Sequence, residues 1–475
     1  MSEYETIVGL EIHVQPGTDR KMFCNCLNRY GEKPNALMCP TCMGLPGALP
    51  VVNREAVERA IRAAVALNCN IQPVSHFARK NYFYPDLPKN YQISQYNNPY
   101  AREGCLEITS NGGRKKIRIN NAHMEEDTGK LLHGDAGRSR VDLNRAGVPL
   151  IEIVTEPDMN SPEEAFEFCT RLKAVLQYAG VSECNMEQGN LRVDVNVNVR
   201  NTKTDERTEI TEIKNLNSFR YALHALKFEE KRHVEALEKG DNLVHETRLY
   251  DAVRDETRTL RTKEEVMDYR YFPEPDLNPL EISEEWIEKV RAALPELPDE
   301  KQERYVSEFG LPPYDAGVLV ADREVAEFFE KCVAASGDAK QVSNWVMGEV
   351  LREMKESRRA LSEIPVSPAA LSDLLALIND KTISNNIAKE VFAEMAATGK
   401  PPAEIVKKKG LSQISDTDAL EEVVRKVISD NDKAVADYKA GKGQAVGFLM
   451  GQVMRQTGGK ANPNVVRQLL KKILG

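Results

Sequence analysis

The clearest periodicity in the chain lies in residues 192–200. There Val193, Val195, Val197 and Val199 alternate with Arg192, Asp194, Asn196, Asn198 and Arg200. Period-two alternation predicts a strand with one face on a core and the other face wet, either simply solvated or flooring a cleft. The segment "TIVGLEIHV" (6–14) reads the same way, with Leu10, Ile12 and Val14 on one side and Glu11 and His13 on the other. Helical spacing takes over after Asn53, where Val57, Ile61, Ala64 and Val65 form one stripe behind an N-cap. A second helix starts at Ser161, with Pro162 in its first turn, Glu164 completing a capping box and Gly180 ending it. A third spans about 219–239 and stops at Gly240.

Strand and helix signals mix in this way up to about residue 290, and then strands fade. "LPELPDE" (294–300) and "GKPPAE" (399–404) punctuate the helical remainder. After Asp437 the chain carries seven Lys or Arg and no Asp or Glu, against a net charge of −9 for the whole. That asymmetry predicts a local basic surface on a protein too acidic for indiscriminate nucleic-acid binding. Val446, Phe448, Leu449, Val453, Val466, Leu469 and Leu470 are the tail's expected apolar positions. The 475 residues suffice for two to four domains, and 41% hydrophobic with 29% charged residues is ordinary for a soluble globular protein. No secretory signal or membrane-spanning run stands out, so a cytoplasmic location is expected.

Nine cysteines are too few for a disulfide scaffold in a chain of this length. Four of them, Cys24 and Cys26 in "CNC" and Cys39 and Cys42 in "CPTC", have the two-pair spacing of a tetrahedral four-thiolate zinc site. Four thiolates leave no open coordination position, so the expected role is structural. Cys69, Cys105, Cys169, Cys184 and Cys332 are expected to be merely buried.

A second set of residues is acidic. Glu11 and His13 share a strand face about 7 Å apart. In "HMEEDTGK" Glu125 and Glu126 are consecutive, so on an extended chain they point to opposite sides; Glu152 in "PLIEIV" and Glu212 with Lys214 in "TEIKN" sit on further strands. Each alone is an ordinary solvated side chain. Together, carboxylates and an imidazole on strands with apolar backs suit a hard divalent cation, which would relieve their repulsion. "RKNYFYPDLPKNYQISQY" (79–96) interleaves Arg79, Lys80 and Lys89 with Tyr82, Phe83, Tyr84, Tyr91 and Tyr96. It suits either contacts to phosphate, ribose or base or a satellite core. The P-loop, dinucleotide and nucleophile-elbow signatures are absent from the sequence.

Taken together, "VGLEIHVQ", "CPTCMGLPGALPVVN", "RKNYFYPDLPKNYQISQY", "HMEEDTGK", "VDLNRAGVPLIEIVTEPD", "QGNLRVDVNVNVR", "EIKNLNSF", "YRYFPEPDL" and "GKGQAVGFLMGQVM" resemble the B subunits of aspartyl/glutamyl-tRNA amidotransferases, from residue 7 to the C-terminus. The resemblance implies an α+β fold: a cradle-shaped catalytic domain (1–292) with a mainly antiparallel sheet and flanking helices, an all-α helical domain (293–404) and an all-α basic tail domain (405–475) that touches tRNA. It implies a heterotrimer. An amidase (glutaminase) partner releases ammonia from glutamine, and a small third partner wraps the interface. The B subunit uses ATP and Mg2+ to activate the side-chain carboxyl of Glu-tRNA(Gln), Asp-tRNA(Asn) or both. On that basis Glu11, His13, Glu125, Glu152 and Glu212 are assigned to the ATP site, with Glu11, His13, Glu125 and Glu212 as magnesium ligands. Asp194 is assigned to positioning substrate or a second cation, and Lys214 to cofactor contacts. Lys80 is placed among the cofactor contacts as well as beside Glu126, which points away, along an ammonia path. A non-catalytic tRNA-binding scaffold and a free-standing metal-dependent hydrolase are the competing readings.

Overall fold

The computed structural model describes residues 3–110, 112–133, 138–262, 268–411, 417–439, 444–457, 461 and 463–475. Two compact units, Met1–Pro298 and Asp299–Gly475, make up the chain. It is an α+β protein, with a sheet-rich N-terminal part and a helical remainder.

The first unit is built on a nine-stranded sheet: β1 (Tyr4–Val14), β2 (Asn70–Ile71), β3 (Ala101–Ser110), β4 (Gly113–Glu126), β5 (Pro149–Thr155), β6 (Leu191–Asn201), β7 (Thr211–Leu216), β8 (Glu246–Asp251) and β9 (Glu256–Thr262). Their order across the sheet is β9-β8-β7-β6-β1-β5-β4-β3-β2. Every neighbouring pair is antiparallel except β7 and β8. The exception has a cause: a helix, α3 (Phe219–Lys239), joins β7 to β8, and a crossover helix returns the chain in the same direction.

Val193, Val195 and Val197 of β6 and the apolar side of β1 face one core together with Ile151, Ile153, Ala122 and Met124. Helices α1 (Arg54–Ala66), α2 (Pro162–Tyr178) and α3 contribute Ile61, Phe168 and Leu226 to the same core. The caps form as read: Asn53 accepts from the Glu55 and Ala56 amides, and Ser161 from Glu164. The return arm of the capping box differs by one residue. Glu164 takes the Asn160 amide at 2.7 Å, because Lys115 and Ser110 hold its carboxylate on that side. Gly240 closes α3 in the left-handed region at φ +72°, which glycine adopts without a Cβ penalty.

In the second unit the helices between Pro298 and Lys409 surround one core centred on Phe329, Leu374 and Phe392, and the final helices surround another, with Leu449, Val453, Val466, Leu469 and Leu470 buried. Phe448 departs from the expectation for the tail. It lies 51% exposed, one position round the helix from the Leu449/Val453 stripe that faces inward. Lys442 and Lys460 lie outside the described residues. Among the described residues no helix is long and apolar enough to cross a membrane.

The underside of α3 buries a charge network. Glu229 is fully enclosed and meets the Thr257 hydroxyl, Arg232 at 2.7 Å, Arg248 at 2.9 Å and His233 at 3.3 Å. Burial alone would raise its pKa; His233, Arg232 and Thr257 outweigh that and hold it at about 2, against an ordinary 4.5. A carboxylate with a depressed folded pKa adds stability above its unfolded pKa and loses it as pH falls toward the folded one. The difference is worth about 3 kcal/mol. Denaturant unfolding followed from pH 6 down to pH 3 is therefore expected to show a steep stability loss below about 4.5 in the wild type, and a shallower one in Glu229→Gln.

Candidate active site

The sheet face opposite the core is where the polar positions meet. In the antiparallel register His13 stands across from Glu152 on β5 and Arg192 on β6, and Glu152 stands across from His123 on β4. Glu11 pairs with Asp194, and Asn196 with Glu212 on β7. Five adjacent strands thus place side chains on one surface, although up to about 200 residues separate them in sequence.

These residues fall into two clusters. In the first, the ligand atoms of His13, Glu125 and Glu152 lie within 4.8 Å of one another. His13 Nε2 is 3.3 Å from Glu152 and 3.7 Å from Glu125. His123 adds a second imidazole, 3.3 Å from Glu152, with its Nδ1 3.0 Å from Asn121 Oδ1. In the second cluster, Glu11, Asp194 and Glu212 lie equally close together. Lys214 already bridges two of them, at 2.7 Å from Asp194 and 2.8 Å from Glu212. Asn196 donates to Glu11 at 2.9 Å and Thr247 to Glu212 at 2.8 Å. The expected quartet of Glu11, His13, Glu125 and Glu212 therefore shares one face but divides between two clusters, with Glu152 rather than Glu11 completing the histidine cluster.

The electrostatics follow from this crowding. Burial lowers the His13 pKa, but the Glu152 and Glu125 carboxylates more than reverse it and raise it to about 9. His123 is raised in the same way. Burial pushes Glu152 up, yet the two imidazoles pull it well below the usual carboxylate range. Burial, then the charge of Glu152, raises Glu125. Glu11 rises for the same two reasons. Without a metal, the first cluster is thus balanced by imidazolium and the second by ammonium. A divalent cation in the first would displace ring protons, and the donors, two carboxylates and an imidazole, suit such an ion.

Glu126 faces away from both clusters, as alternation requires. It pairs with Lys89, not with Lys80, and also accepts from the Ile93 amide at 3.0 Å. Lys80 instead sits 4.9 Å from the Tyr269 ring centroid, where its charge helps to hold down Glu125. Around it Tyr82, Tyr269, Tyr271 and Tyr96 make a continuous aromatic wall, with Tyr96 stacked on Tyr271 at 4.0 Å. Asp127 is held by Arg192 at 2.8 Å. Participants not assigned from sequence include His123, Asn196, Thr247 and Lys89. His123 lies two residues before Glu125 on one strand, so period two alone puts both on one face. Lys89 reaches Glu126 from the turn before the short strand 91–94, which belongs to a different sheet, a tertiary contact that the sequence does not display.

The four-cysteine segment folds into a knuckle whose Sγ atoms all lie within 4.8 Å of one another. The Cys39 amide donates to Cys42 Sγ at 3.0 Å. A hydrogen bond from Cys24 pulls the Cys42 thiol down to about 5 against its burial, helped by the Cys39 amide and the Lys21 charge. Four cysteine sulfurs gathered this closely, with one thiol held low, fit Zn2+. Gly44, at φ +67°, lets the knuckle press on Lys89; a Cβ there would fall 2.5 Å from Lys89 Cγ. A cavity of about 110 Å3 lies between Cys24 and Cys42 on one side and Lys89, Glu126 and Gly147 on the other. Elsewhere burial pushes the Cys169, Cys184 and Cys332 thiols up to about 12, and that of half-buried Cys69 likewise; Cys105 is half-buried too.

Comparison with known proteins agrees over nearly the whole chain. Residues 6–288 match the GatB/GatE catalytic domain family, and residues 327–474 the GatB domain family. The B subunit of the aspartyl/glutamyl-tRNA(Asn/Gln) amidotransferase of Thermoanaerobacter pseudethanolicus is 52% identical over 472 residues, 99% of each chain. Those of Carboxydothermus hydrogenoformans and Geotalea uraniireducens are each 51% identical, over 99% and 100% of each chain respectively. With a fold, an acidic sheet face and matches of that extent, the chain belongs to the B-subunit family of the aspartyl/glutamyl-tRNA amidotransferases.

Proposed function

We propose that this chain is the component that activates a misacylated tRNA for amidation. It uses ATP to phosphorylate the side-chain carboxyl of Glu-tRNA(Gln), Asp-tRNA(Asn) or both, and lets ammonia from a partner glutaminase displace the phosphate. The observation that carries this reading is the pair of acidic clusters side by side on one sheet face, in a chain of this family. A carboxylate is a poor electrophile because its leaving group would be oxide. Bonding a carboxylate oxygen to the γ-phosphorus of ATP releases ADP and makes phosphate the leaving group. Ammonia nitrogen then bonds to the acyl carbon, the acyl C–O bond to phosphate breaks, and one proton is released.

In this reading His13, Glu125 and Glu152 hold one divalent cation, with Glu11, Asp194 and Glu212 as the counterpart set. Mg2+ would supply charge neutralisation for the phosphates, which carboxylates alone would repel. His123 holds Glu152 in place and keeps it ionised. Asn196 and Thr247 fix the rotamers of Glu11 and Glu212. Lys214 compensates charge where a substrate anion would otherwise meet Asp194. Glu126 with Lys89, on the other side of β4, and Lys80 on the aromatic wall are assigned to the route by which ammonia arrives. The zinc knuckle has a structural role. The glutaminase and the small third partner complete a cytoplasmic heterotrimer, and the basic tail contacts the tRNA backbone.

Two measurements test the reading in the assembled complex. Glu125→Ala is expected to lower ATP hydrolysis stimulated by misacylated tRNA at least 100-fold, while tRNA affinity stays within about threefold; hydrolysis that survives the change would favour the scaffold reading instead. For the tail, Arg467 and Lys471 are exposed and four residues apart on one helix. Changing both to Ala is expected to flatten the dependence of log affinity on log salt by roughly one to two, as loss of two phosphate contacts requires. An unchanged slope would assign that face to a protein partner.

A further inference from the structure

Lys21 is among the largest fully buried side chains of the protein. Its ammonium donates to the carbonyls of Leu37 at 2.7 Å, Ala146 at 2.7 Å and Leu143 at 3.3 Å, and lies 3.8 Å from Cys42 Sγ. Among the described residues no carboxylate pairs with it, although Glu126 lines the neighbouring cavity. Burying an ammonium costs several kcal/mol unless an anion compensates it, and carbonyl dipoles satisfy its protons without cancelling its charge. The knuckle atom it touches is Cys42 Sγ, one of the four sulfurs that would ligate the metal.

Four thiolates around a divalent zinc ion carry a net charge of −2. A buried centre of that charge needs nearby positive groups as much as Lys21 needs a negative one. We infer that Lys21 is the counter-cation of the four-thiolate centre, and that through it metal occupancy positions the turn at 143–148. This inference rests on the zinc reading of the knuckle.

The turn makes the link matter. Lys21 grips it by two carbonyls, and the backbone beside Lys21 adds a third bond, from the Met22 amide to Gly147 O at 2.8 Å. Gly147 and Val148 in turn hold the Asp127 backbone, by bonds of 2.9 and 2.8 Å, and Arg145 reaches the Thr128 carbonyl at 3.0 Å. The Asp127 carboxylate fixes Arg192, which stands across from His13 on the sheet. The knuckle is therefore joined to the acidic face by a short run of charge and hydrogen bonds, with Lys21 as the positioning residue at its start.

The test uses the full chain under reducing conditions. Zinc content is measured first, and a wild type that takes up no zinc overturns the zinc reading itself and this inference with it. Zinc affinity is then read by competition with a chromogenic chelator, and thermal midpoints are read with zinc and after stripping. Lys21→Met is expected to bind zinc 10- to 100-fold more weakly, as loss of an outer-shell partner does. It is expected to lower the midpoint of the zinc-loaded protein and to leave the stripped protein unchanged or more stable. Wild-type zinc affinity, or an equal loss of midpoint in both states, would mean that Lys21 only packs and would overturn the inference. Should that variant fail to fold, hydrogen exchange on the unaltered chain decides. Stripping zinc is expected to expose amides at 143–148 as well as those of the knuckle, and protection unchanged at 143–148 would overturn the inference.

Discussion

The fold of the first unit is constrained above all by charge compensation on a half-buried sheet face. Glu11, Glu125, Glu152, Asp194 and Glu212 lie on adjacent strands, where interstrand spacing brings side chains to within about 5 Å. Left alone, such a set would repel itself and protonate. Here His13 and His123 flank Glu152, and Lys214 spans Asp194 and Glu212. The consequence is uneven: Glu152 is pulled well below the usual carboxylate range while Glu125 and Glu11 are pushed above it. A surface in that condition is primed for a cation, because binding one releases protons and relieves repulsion together.

What permits this crowding is the opposite face. Val193, Val195 and Val197 of β6 and the apolar side of β1 anchor the strands on three helices, so the backbone under the acidic groups cannot yield. The same alternation separates Glu125 from Glu126. One projects into the histidine cluster and the other to Lys89, so a single strand serves two chemically distinct surfaces.

Much of this is legible in the sequence for a simple reason. Strand periodicity and helix caps are local, and the face on which Glu11, His13, Asp194 or Glu212 lies follows from counting by two. Asn53, Ser161 and Gly240 can be placed as helix ends because their side chains, or the lack of one, act within three or four residues. What local pattern does not carry is register. Glu11 meets Asp194 rather than Glu125 because of how strands slide past one another, and Lys89 rather than Lys80 meets Glu126 because a turn from a different sheet packs against that strand. Phe448 shows the same limit in a helix, where one step round the axis turns an expected core residue outward. His123 is within reach of counting by two from Glu125, yet only the register with β5 shows that it faces Glu152.

Lys21 lies beyond any such pattern. In sequence it is one lysine in "TDRKMFC", and only the structure shows it fully buried with no carboxylate pairing with it among the described residues. Its presence bears on why a four-cysteine knuckle that could hold a metal sits beside the acidic sheet face. A buried four-thiolate centre needs a nearby cation whatever it stabilises, and here that cation also grips the turn leading to the acidic face. Placing the positive charge between the thiolates and the 143–148 turn makes the stability of the centre and the position of Asp127 and Arg192 one electrostatic arrangement. Gly44 of the same knuckle also presses on Lys89, the partner of Glu126, so the four-cysteine segment is tied to Glu126 on one side and, through Lys21 and the turn, to Asp127 just past the end of the strand.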